Sequence, residues 1–245
     1  MRIDSGGGTA LGADIIWNEL KLVKDKKPII ASFGDITASG AYYLAMPADS
    51  ILAEKTTLTG SIGIFMAMPK VKELYKKLGI RKEVIKRGKH ADMLSDDRKW
   101  TEEERELLQR QLNELYQDFV NKVSEGRGMT SVEVDSVGMG RLWTGEDAVA
   151  NGLIDMIGGM REAENLSLRM TGLNREEVKF VSFGTSGRSM ISIGVLFKES
   201  VKDKFYVNDP LFDSIIEEID FYGELLALMK DGGLMFMVPY ELEIE

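Results

Sequence analysis

Short apolar runs alternate with longer stretches of helical spacing over the first 170 residues of the chain. The run at residues 28–33 ends at a Gly-Asp pair, which predicts a buried strand followed by a turn. Further short apolar runs predict strands at residues 51–53, 61–65 and 83–85. Between the strands, apolar residues recur every three to four positions over residues 10–22, which predicts a helix.

A long helix is predicted to begin after Thr101 and to end at the glycines of residues 126–128. Thr101 is placed as the N-cap and Glu104 as the third helical residue, the capping-box pattern. Its predicted apolar face contains Leu107, Leu108, Leu112, Leu115, Tyr116, Phe119 and Val123. Strands that alternate with helices predict an α/β fold, with a largely parallel sheet and flanking helices.

The pattern changes after Gly172, which predicts two domains, residues 1–172 and a mostly helical C-terminal extension over residues 173–245. Residues 211–229 are amphipathic and residues 233–240 are apolar. Such a terminal apolar segment favours contact with another subunit or a membrane surface, or packing onto its own domain. The first residues resemble the end of a strand entering a loop, so we expect the chain to be the later part of a longer protein whose first strands are missing.

Composition excludes several classes of function. The chain has 245 residues, of which 31 are basic and 40 acidic, and the net charge of −9 argues against nucleic acid as a partner. No apolar run approaches the ~18 residues that a transmembrane helix needs. There is no cysteine, and His90 is the one histidine, which excludes thiolate catalysis and two-histidine metal sites within one chain. We therefore expect no metal and no cofactor, and attribute the acidic run at residues 96–104 to favourable charge at a helix N-terminus.

Two glycine-containing turns are candidate functional sites. The first, residues 4–9, contains Gly6, Gly7 and Gly8 directly before a helix, where backbone N–H groups can face an anion. It matches neither the Walker A pattern nor G-x-G-x-x-G, and a flexible loop is the alternative. In the second, residues 34–44, a strand ends and a helix is predicted to begin at or just before Ser39, which places Ser39 and the Gly40 N–H at the edge where parallel sheets carry their sites. The alternative is that both residues are small only so that the helix can pack closely on the sheet.

These motifs resemble the signal peptide peptidase A (protease IV) serine peptidases of family S49. The resemblance rests on Ser-Gly-Gly-Gly at residues 5–8, Gly-Asp-x-x-Ala-Ser-Gly-x-Tyr-Tyr at residues 34–43 and Leu-Thr-Gly-Ser-Ile-Gly at residues 58–63. It continues through residues 88–93, 126–129 and 140–148. It implies the fold shared by the Clp peptidases and the crotonases, and an oligomeric enzyme that degrades cleaved signal peptides and other hydrophobic peptides at the membrane.

The resemblance also implies roles for individual residues. Ser39 is the expected nucleophile, and the backbone N–H groups of Gly8 and Gly40 are the expected oxyanion hole. Ser61 corresponds to the serine that orients a lysine general base. A lysine can accept the proton only where loss of solvent lowers its pKa towards neutrality. Gly6 stands where the family usually has proline, a difference that affects the stiffness of the turn.

The lysine itself departs from the family pattern. Half-length members carry it in a Gly-x-x-Lys segment, and the matching position here, three residues after Gly88, is Ala91. Double-length members place the serine in the C-terminal copy and the lysine in the N-terminal copy. The chain therefore resembles a C-terminal copy, with its base on a missing N-terminal half or on another chain. Lys89 and His90 are weaker local candidates, because Lys89 lies in a basic stretch typical of solvated charge.

The leading hypothesis is a Ser/Lys peptidase on the extracytoplasmic side of a cell membrane, with membrane association through a segment absent here. Its expected partners are a hydrophobic peptide substrate and further copies or a tandem domain. One alternative is a catalytically silent scaffold with the same fold. A crotonase-type acyl-CoA enzyme is a second alternative, and the joint occurrence of Ser39 and Ser61 argues against it.

Overall fold

A largely parallel sheet organises the first 170 residues. The computed structural model describes residues 1–181 and residue 183. Residues 1–170 lie in one compact unit, and Thr171 begins a second. Within the described residues the strands are β1 (Arg2–Ser5), β2 (Ile30–Ala38), β3 (Ser50–Ala53), β4 (Leu58–Gly60), β5 (Leu142–Thr144) and β6 (Met156–Ile157). Strand β2 pairs in parallel with β1, β3 and β4, β6 runs parallel to β3, and β5 runs antiparallel to β4.

Seven described helices accompany the sheet. They are α1 (Ala10–Lys24), α2 (Gly40–Ala45), α3 (Lys72–Lys77), α4 (Glu102–Arg127), α5 (Ser131–Val137), α6 (Gly145–Ala150) and α7 (Met160–Thr171), followed by a 3-10 turn at Arg175–Glu177. The predicted α/β class, with a largely parallel sheet and flanking helices, is confirmed. The predicted domain boundary after residue 172 stays a prediction, and the amphipathic and apolar segments at residues 211–240 lie outside the described residues.

Local capping residues define the ends of two helices, and those of α4 were predicted. Helix α1 begins after Thr9, whose hydroxyl accepts a hydrogen bond from the Gly12 N–H. Helix α4 has the predicted capping box between Thr101 and Glu104, and it ends at Gly128 in the left-handed conformation that glycine adopts without a steric cost. Each of these caps involves residues only a few positions apart, so the sequence alone can indicate them.

Two predicted strands are wrong. Residues 61–65 do not form a strand, because β4 ends at Gly60 and Ser61 turns away with a φ of 51°. Residues 83–85 also lie outside any strand, and Ile85 is 93% exposed. A strand needs a neighbouring strand for its backbone hydrogen bonds, and a three-residue apolar run carries no information about that neighbour.

Helix α2 lies at the centre of the core. Tyr42 is fully buried, packs edge-on against Phe33 of β2 and donates its hydroxyl hydrogen to the Leu153 carbonyl at 2.7 Å. Tyr43 packs against Phe119 of α4, with ring centroids 5.1 Å apart. The predicted apolar face of α4 is buried at Leu108, Phe119 and Val123, with Val120 beside them. The sheet and α4 thus hold the short helix that follows Ser39 from both sides.

An ion pair ties the end of α4 to the sheet. The Arg127 guanidinium donates to both carboxylate oxygens of Asp155, at 3.0 and 2.7 Å, and to the Gly152 carbonyl at 3.0 Å. Asp155 also accepts the Ile51 N–H at 2.7 Å. Burial acts to raise the pKa of Asp155, but the hydrogen bonds from Arg127 and Ile51 outweigh it and hold that pKa below its ordinary value.

Replacement of Arg127 with alanine is expected to lower the free energy of unfolding by about 2 kcal/mol, because the half-buried Asp155 then loses its partner. Chemical denaturation measures the change. Arg127→Lys should recover only part of it, since an ammonium cannot donate two parallel hydrogen bonds. The control is Lys21→Ala, which removes an exposed ion pair with Glu125 and should cost under about 1 kcal/mol. Equal losses for the two alanine variants would contradict this role for Arg127.

The same pair predicts a pH dependence. The pKa of Asp155 is lower in the folded than in the unfolded chain, so its contribution is present above the unfolded pKa of about 3.9. The contribution is lost as the pH falls through the folded pKa. The free energy of unfolding, measured by chemical denaturation from pH 6 to pH 3, should therefore decrease less steeply with falling pH for Asp155→Asn than for the wild-type chain. A slope unchanged by Asp155→Asn would show that other carboxylates account for the acid sensitivity.

Candidate functional site

Ser39 occupies a strained junction between β2 and α2. Strand β2 ends at Ala38, α2 begins at Gly40, and Ser39 between them has φ 60° and ψ −124°. Few residues other than glycine adopt a positive φ, and such strain at a junction costs about 1–3 kcal/mol. The Ser39 N–H donates to the Gly60 carbonyl at 2.8 Å, and its carbonyl accepts the Tyr43 N–H at 2.7 Å. Strand β4 and the first turn of α2 therefore hold the strained conformation.

The Ser39 hydroxyl is buried without a hydrogen bond. Ser39 is 1% exposed, and its Oγ has no hydrogen-bond partner in the described part of the chain. It stands at the N-cap position of α2 without making the N-cap hydrogen bond. An unpaired buried polar group costs about 1–3 kcal/mol, and alanine would give the same close packing without that cost. Packing alone therefore does not explain a serine here.

The first glycine turn lies directly against Ser39 and Gly40. A Cβ built on Gly7, where φ is 124°, would lie 3.0 Å from the Ser39 Cβ and 3.2 Å from the Gly40 nitrogen. A Cβ built on Gly40 would lie 3.3 Å from the Gly8 nitrogen. The structure thus brings Gly8 and Gly40 together, and the close approach of the two backbones requires glycine at positions 7 and 40.

Ser61 lies beside this junction. Strand β4 pairs with β2 so that Gly60 is opposite Ala38, and the next residue of each strand is therefore a serine. Ser61 is 8% exposed, has a φ of 51° and donates its N–H to the Arg141 carbonyl at 2.7 Å. Both serines sit at the same edge of the sheet. The sequence motif named Ser61, but the pairing register that brings it next to Ser39 was not predictable.

The local candidates for a general base lie elsewhere. Lys89 forms an ion pair with Glu103, and the His90 Nε2 is 3.4 Å from a carboxylate oxygen of the same residue. Glu103 is in the first turn of α4, sixteen residues or about 24 Å along the helix from Phe119, which packs near Ser39 through Tyr43. Ala91 is exposed. Neither Lys89 nor His90 is hydrogen-bonded to the Ser39 Oγ.

The acidic residues just before α4 and in its first turn form ion pairs and a helix cap. Arg98 donates two hydrogen bonds to Asp92, both at 2.9 Å, and two to Glu104, at 2.7 and 2.6 Å. The hydrogen bonds from Arg98, and next those from Thr101, lower the pKa of Glu104 to about 2. Glu104 is 1% exposed, which its place in an acidic run did not predict. Its burial follows from the double hydrogen bond to Arg98.

A cleft opens beside Gly40. It has a volume of about 390 Å³ and lies between α1, the start of α2, α4 and residues 63–64. Its apolar wall includes Leu11, Ile64 and Phe119, and its polar groups are Asp14, Asp118 and Lys122. Sequence reasoning missed these three polar residues, because charged residues on amphipathic helices look like solvated surface until the helices are packed.

No helix within residues 1–181 combines the length and the apolar character that a membrane crossing requires.

Comparison with known proteins agrees with the motifs. The profile of Peptidase family S49 matches residues 21–171. The chain is 46% identical to the chloroplastic serine protease SPPA of Arabidopsis thaliana over 164 residues. These residues make up 66% of this chain and 24% of the Arabidopsis protein. It is 37% identical over 229 residues to a protein of Enterococcus faecium named as a candidate signal peptide peptidase SppA. The aligned residues make up 94% of this chain and 66% of the Enterococcus protein.

Among solved structures, a candidate enoyl-CoA hydratase/isomerase from Acinetobacter baumannii aligns with a TM-score of 0.35 at 14% identity, covering 90% of this chain and 66% of that chain. The aligned segment spans about a quarter of the Arabidopsis protein and two thirds of the Enterococcus protein. The family match covers more than half of the chain and includes the Ser39 junction. The chain therefore belongs to Peptidase family S49.

Proposed function

We propose that this chain carries the nucleophile of a serine peptidase, and that Ser39 attacks the carbonyl carbon of the scissile peptide bond. The observation that carries the proposal is the Ser39 junction, where a strained, buried serine has a hydroxyl without a partner. The backbone nitrogens of Gly8 and Gly40 lie beside it. Strain and unpaired polar groups of this kind are concentrated at active sites, where the fold is stable enough to sustain them.

The chemistry follows from this arrangement. A base takes the proton of the Ser39 Oγ as the new C–O bond forms, and the carbonyl oxygen becomes an oxyanion. The N–H groups of Gly8 and Gly40 donate hydrogen bonds to that oxyanion. Collapse expels the amine, which takes the proton from the base, and leaves an acyl group on Ser39. Water then hydrolyses the acyl-enzyme by the reverse sequence of proton transfers.

The base in this proposal is a lysine supplied by another chain or another domain. Ala91 replaces the lysine of the Gly-x-x-Lys segment, and both Lys89 and His90 are engaged by Glu103. Ser61, at the same sheet edge as Ser39, is placed to orient the incoming ammonium group. The site would then be complete only in an assembly, either a homo-oligomer or a tandem-domain protein.

The substrates in this proposal are hydrophobic peptides, including cleaved signal peptides, at a membrane surface. The name of the Enterococcus relative supports signal peptides as substrates. The apolar wall of the cleft beside Gly40 accommodates an aliphatic chain of the substrate. Membrane association in this scheme depends on a segment outside the described residues.

A silent scaffold is the second candidate function. The observation that favours it is the lack of any base hydrogen-bonded to Ser39 within the described residues. It differs from the peptidase in one measurable respect, because a scaffold has no reactive serine even when a lysine is provided. An acyl-CoA enzyme would use the paired amides without a nucleophile, and it gives no reason for the buried, unpartnered hydroxyl.

The wild-type chain alone is expected to react slowly with a fluorophosphonate, because a general base contributes about 10²–10⁴ in rate and no base is hydrogen-bonded to Ser39 within the described residues. Ala91→Lys should accelerate the reaction only where position 91 of a neighbouring chain reaches Ser39, because within one chain this segment lies beside Glu103, about 24 Å along α4 from Phe119. The gain should therefore grow with protein concentration, and the rate should rise as the pH passes the lysine pKa. Mass spectrometry should find the label on Ser39.

Two control variants accompany this measurement. Ala91→Arg introduces a charge of similar reach that cannot act as a base, so its rate should match that of the wild-type chain. Ser39→Ala in the Ala91→Lys background should remove the label. Fast labelling of the wild-type chain that is lost in Lys89→Ala or His90→Ala would instead identify a local base. Absence of labelling in every variant, also at concentrations at which the chain is assembled, would favour the scaffold.

Gly8→Val is expected to slow labelling of Ser39 at least tenfold in the Ala91→Lys background, because its side chain would occupy the space for the oxyanion. Removing one oxyanion donor costs about 10²–10³ in rate, and a blocked site should approach that range. A Cβ on Gly8 meets no atom within 4 Å, so the fold should tolerate the change. The matched control is Gly6→Val, where a Cβ makes an ordinary contact of 3.8 Å with Ile36. Equal rates for both variants would remove Gly8 from the oxyanion site.

A further inference from the structure

The cleft beside Gly40 contains charged groups as well as an apolar wall. Asp14 enters it from α1, and Asp118 and Lys122 enter it from α4. Gly40, which also lines the cleft, directly follows Ser39 with its buried and unpartnered hydroxyl. This cleft is therefore a candidate site for a substrate side chain next to the scissile bond.

Among the described residues that line the cleft, Lys122 carries the one ammonium group, and this group is already engaged. The Lys122 Nζ lies 3.2 Å from the centre of the Trp17 ring, within the range of a strong cation–π contact. It is also 4.0 Å from an oxygen of Asp14. The same Asp14 oxygen accepts the Tyr43 hydroxyl hydrogen at 2.6 Å. Two carboxylates and one ammonium thus leave the cleft with an excess of one negative charge.

The Tyr43 hydroxyl lies beside these carboxylates. Burial raises the pKa of Tyr43, and the hydrogen bond to Asp14 and the charges of Asp14 and Asp118 raise it further. A negative potential at the Tyr43 hydroxyl is favourable for a cation that enters the cleft from solvent.

We propose that this cleft selects a basic side chain of the peptide substrate, with lysine as its simplest occupant, and that Asp14 and Asp118 determine the preference. The proposal rests on the peptidase function assigned to Ser39. The aliphatic stem of the lysine would pack along Leu11, Ile64 and Phe119, and its ammonium group would lie between the two carboxylates. Long basic side chains bury their stems against apolar surface in this manner.

The alternative occupant is a purely apolar side chain such as leucine. The apolar wall suits either one, and the volume of about 390 Å³ accommodates both. They differ at the polar end, where an apolar side chain would leave the two carboxylates without a new partner and strip part of their hydration. Both carboxylates are exposed in the free chain, and an apolar side chain would remove part of their hydration without giving them a partner, so the charge, not the volume, decides between the two occupants.

The test is fluorescence anisotropy with the full chain carrying Ser39→Ala, which prevents turnover. Three labelled peptides differ at one central residue of a leucine-rich sequence: lysine, norleucine or glutamate. Norleucine keeps the stem of lysine without its charge. The lysine peptide is expected to bind about fivefold more tightly than the norleucine peptide at about 50 mM salt, and the glutamate peptide more weakly than both. At about 1 M salt the ratio of the affinities for the lysine and norleucine peptides should fall towards one.

The double variant Asp14→Asn/Asp118→Asn should lose the lysine preference, with weaker binding of the lysine peptide and equal or tighter binding of the norleucine peptide, because amides lose less hydration than carboxylates. Asparagine at position 14 still accepts the Tyr43 hydrogen bond, so the core contact remains. Glu106→Gln, an exposed position about 18 Å along α4 from Asp118, is the matched control and should keep the preference. Binding without a lysine preference, or a preference that survives in the double variant, would overturn this inference alone. Binding of none of the peptides would overturn the proposed function as well.

Discussion

The hydrogen bond from the Ser39 N–H to the Gly60 carbonyl fixes a serine in a backbone conformation that few L residues adopt. That contact exists because β4 pairs in register with the end of β2, and the register in turn places Ser61 next to Ser39. The turn at residues 6–8 can approach the junction only because glycine occupies positions 7 and 40. The parts of the candidate site thus depend on one sheet edge and on residues without side chains.

Much of the fold was predictable where the signal is local. Thr101 and Glu104 define a capping box within four residues, and the start of α2 follows from the small residues around Ser39. The two strand predictions were wrong because strand formation depends on residues that are distant in the sequence. Their backbone partners lie far along the chain, so a short apolar run at residues 61–65 or 83–85 could not show whether a partner exists.

The residues of the candidate site also fall into those that local motifs predict and those that only tertiary packing brings together. Ser39, Gly8, Gly40 and Ser61 were named from motifs because the family resemblance carries their spacing. Asp14 and Asp118 were not named, since they are 104 residues apart on different helices and acquire a common environment only when α1 packs beside α4. Charged residues that share a cleft through tertiary contacts leave no spacing in the sequence.

Tyr43 takes part in three separate arrangements. Its backbone N–H binds the Ser39 carbonyl, its ring packs on Phe119, and its hydroxyl donates to Asp14 at the wall of the cleft. Any group that displaces this ring would also pull on the first turn of α2 and on the strained residue before it. Side-chain recognition and the position of the attacking oxygen are therefore mechanically linked, and a change of specificity that enlarges the cleft at Tyr43 would also disturb the nucleophile.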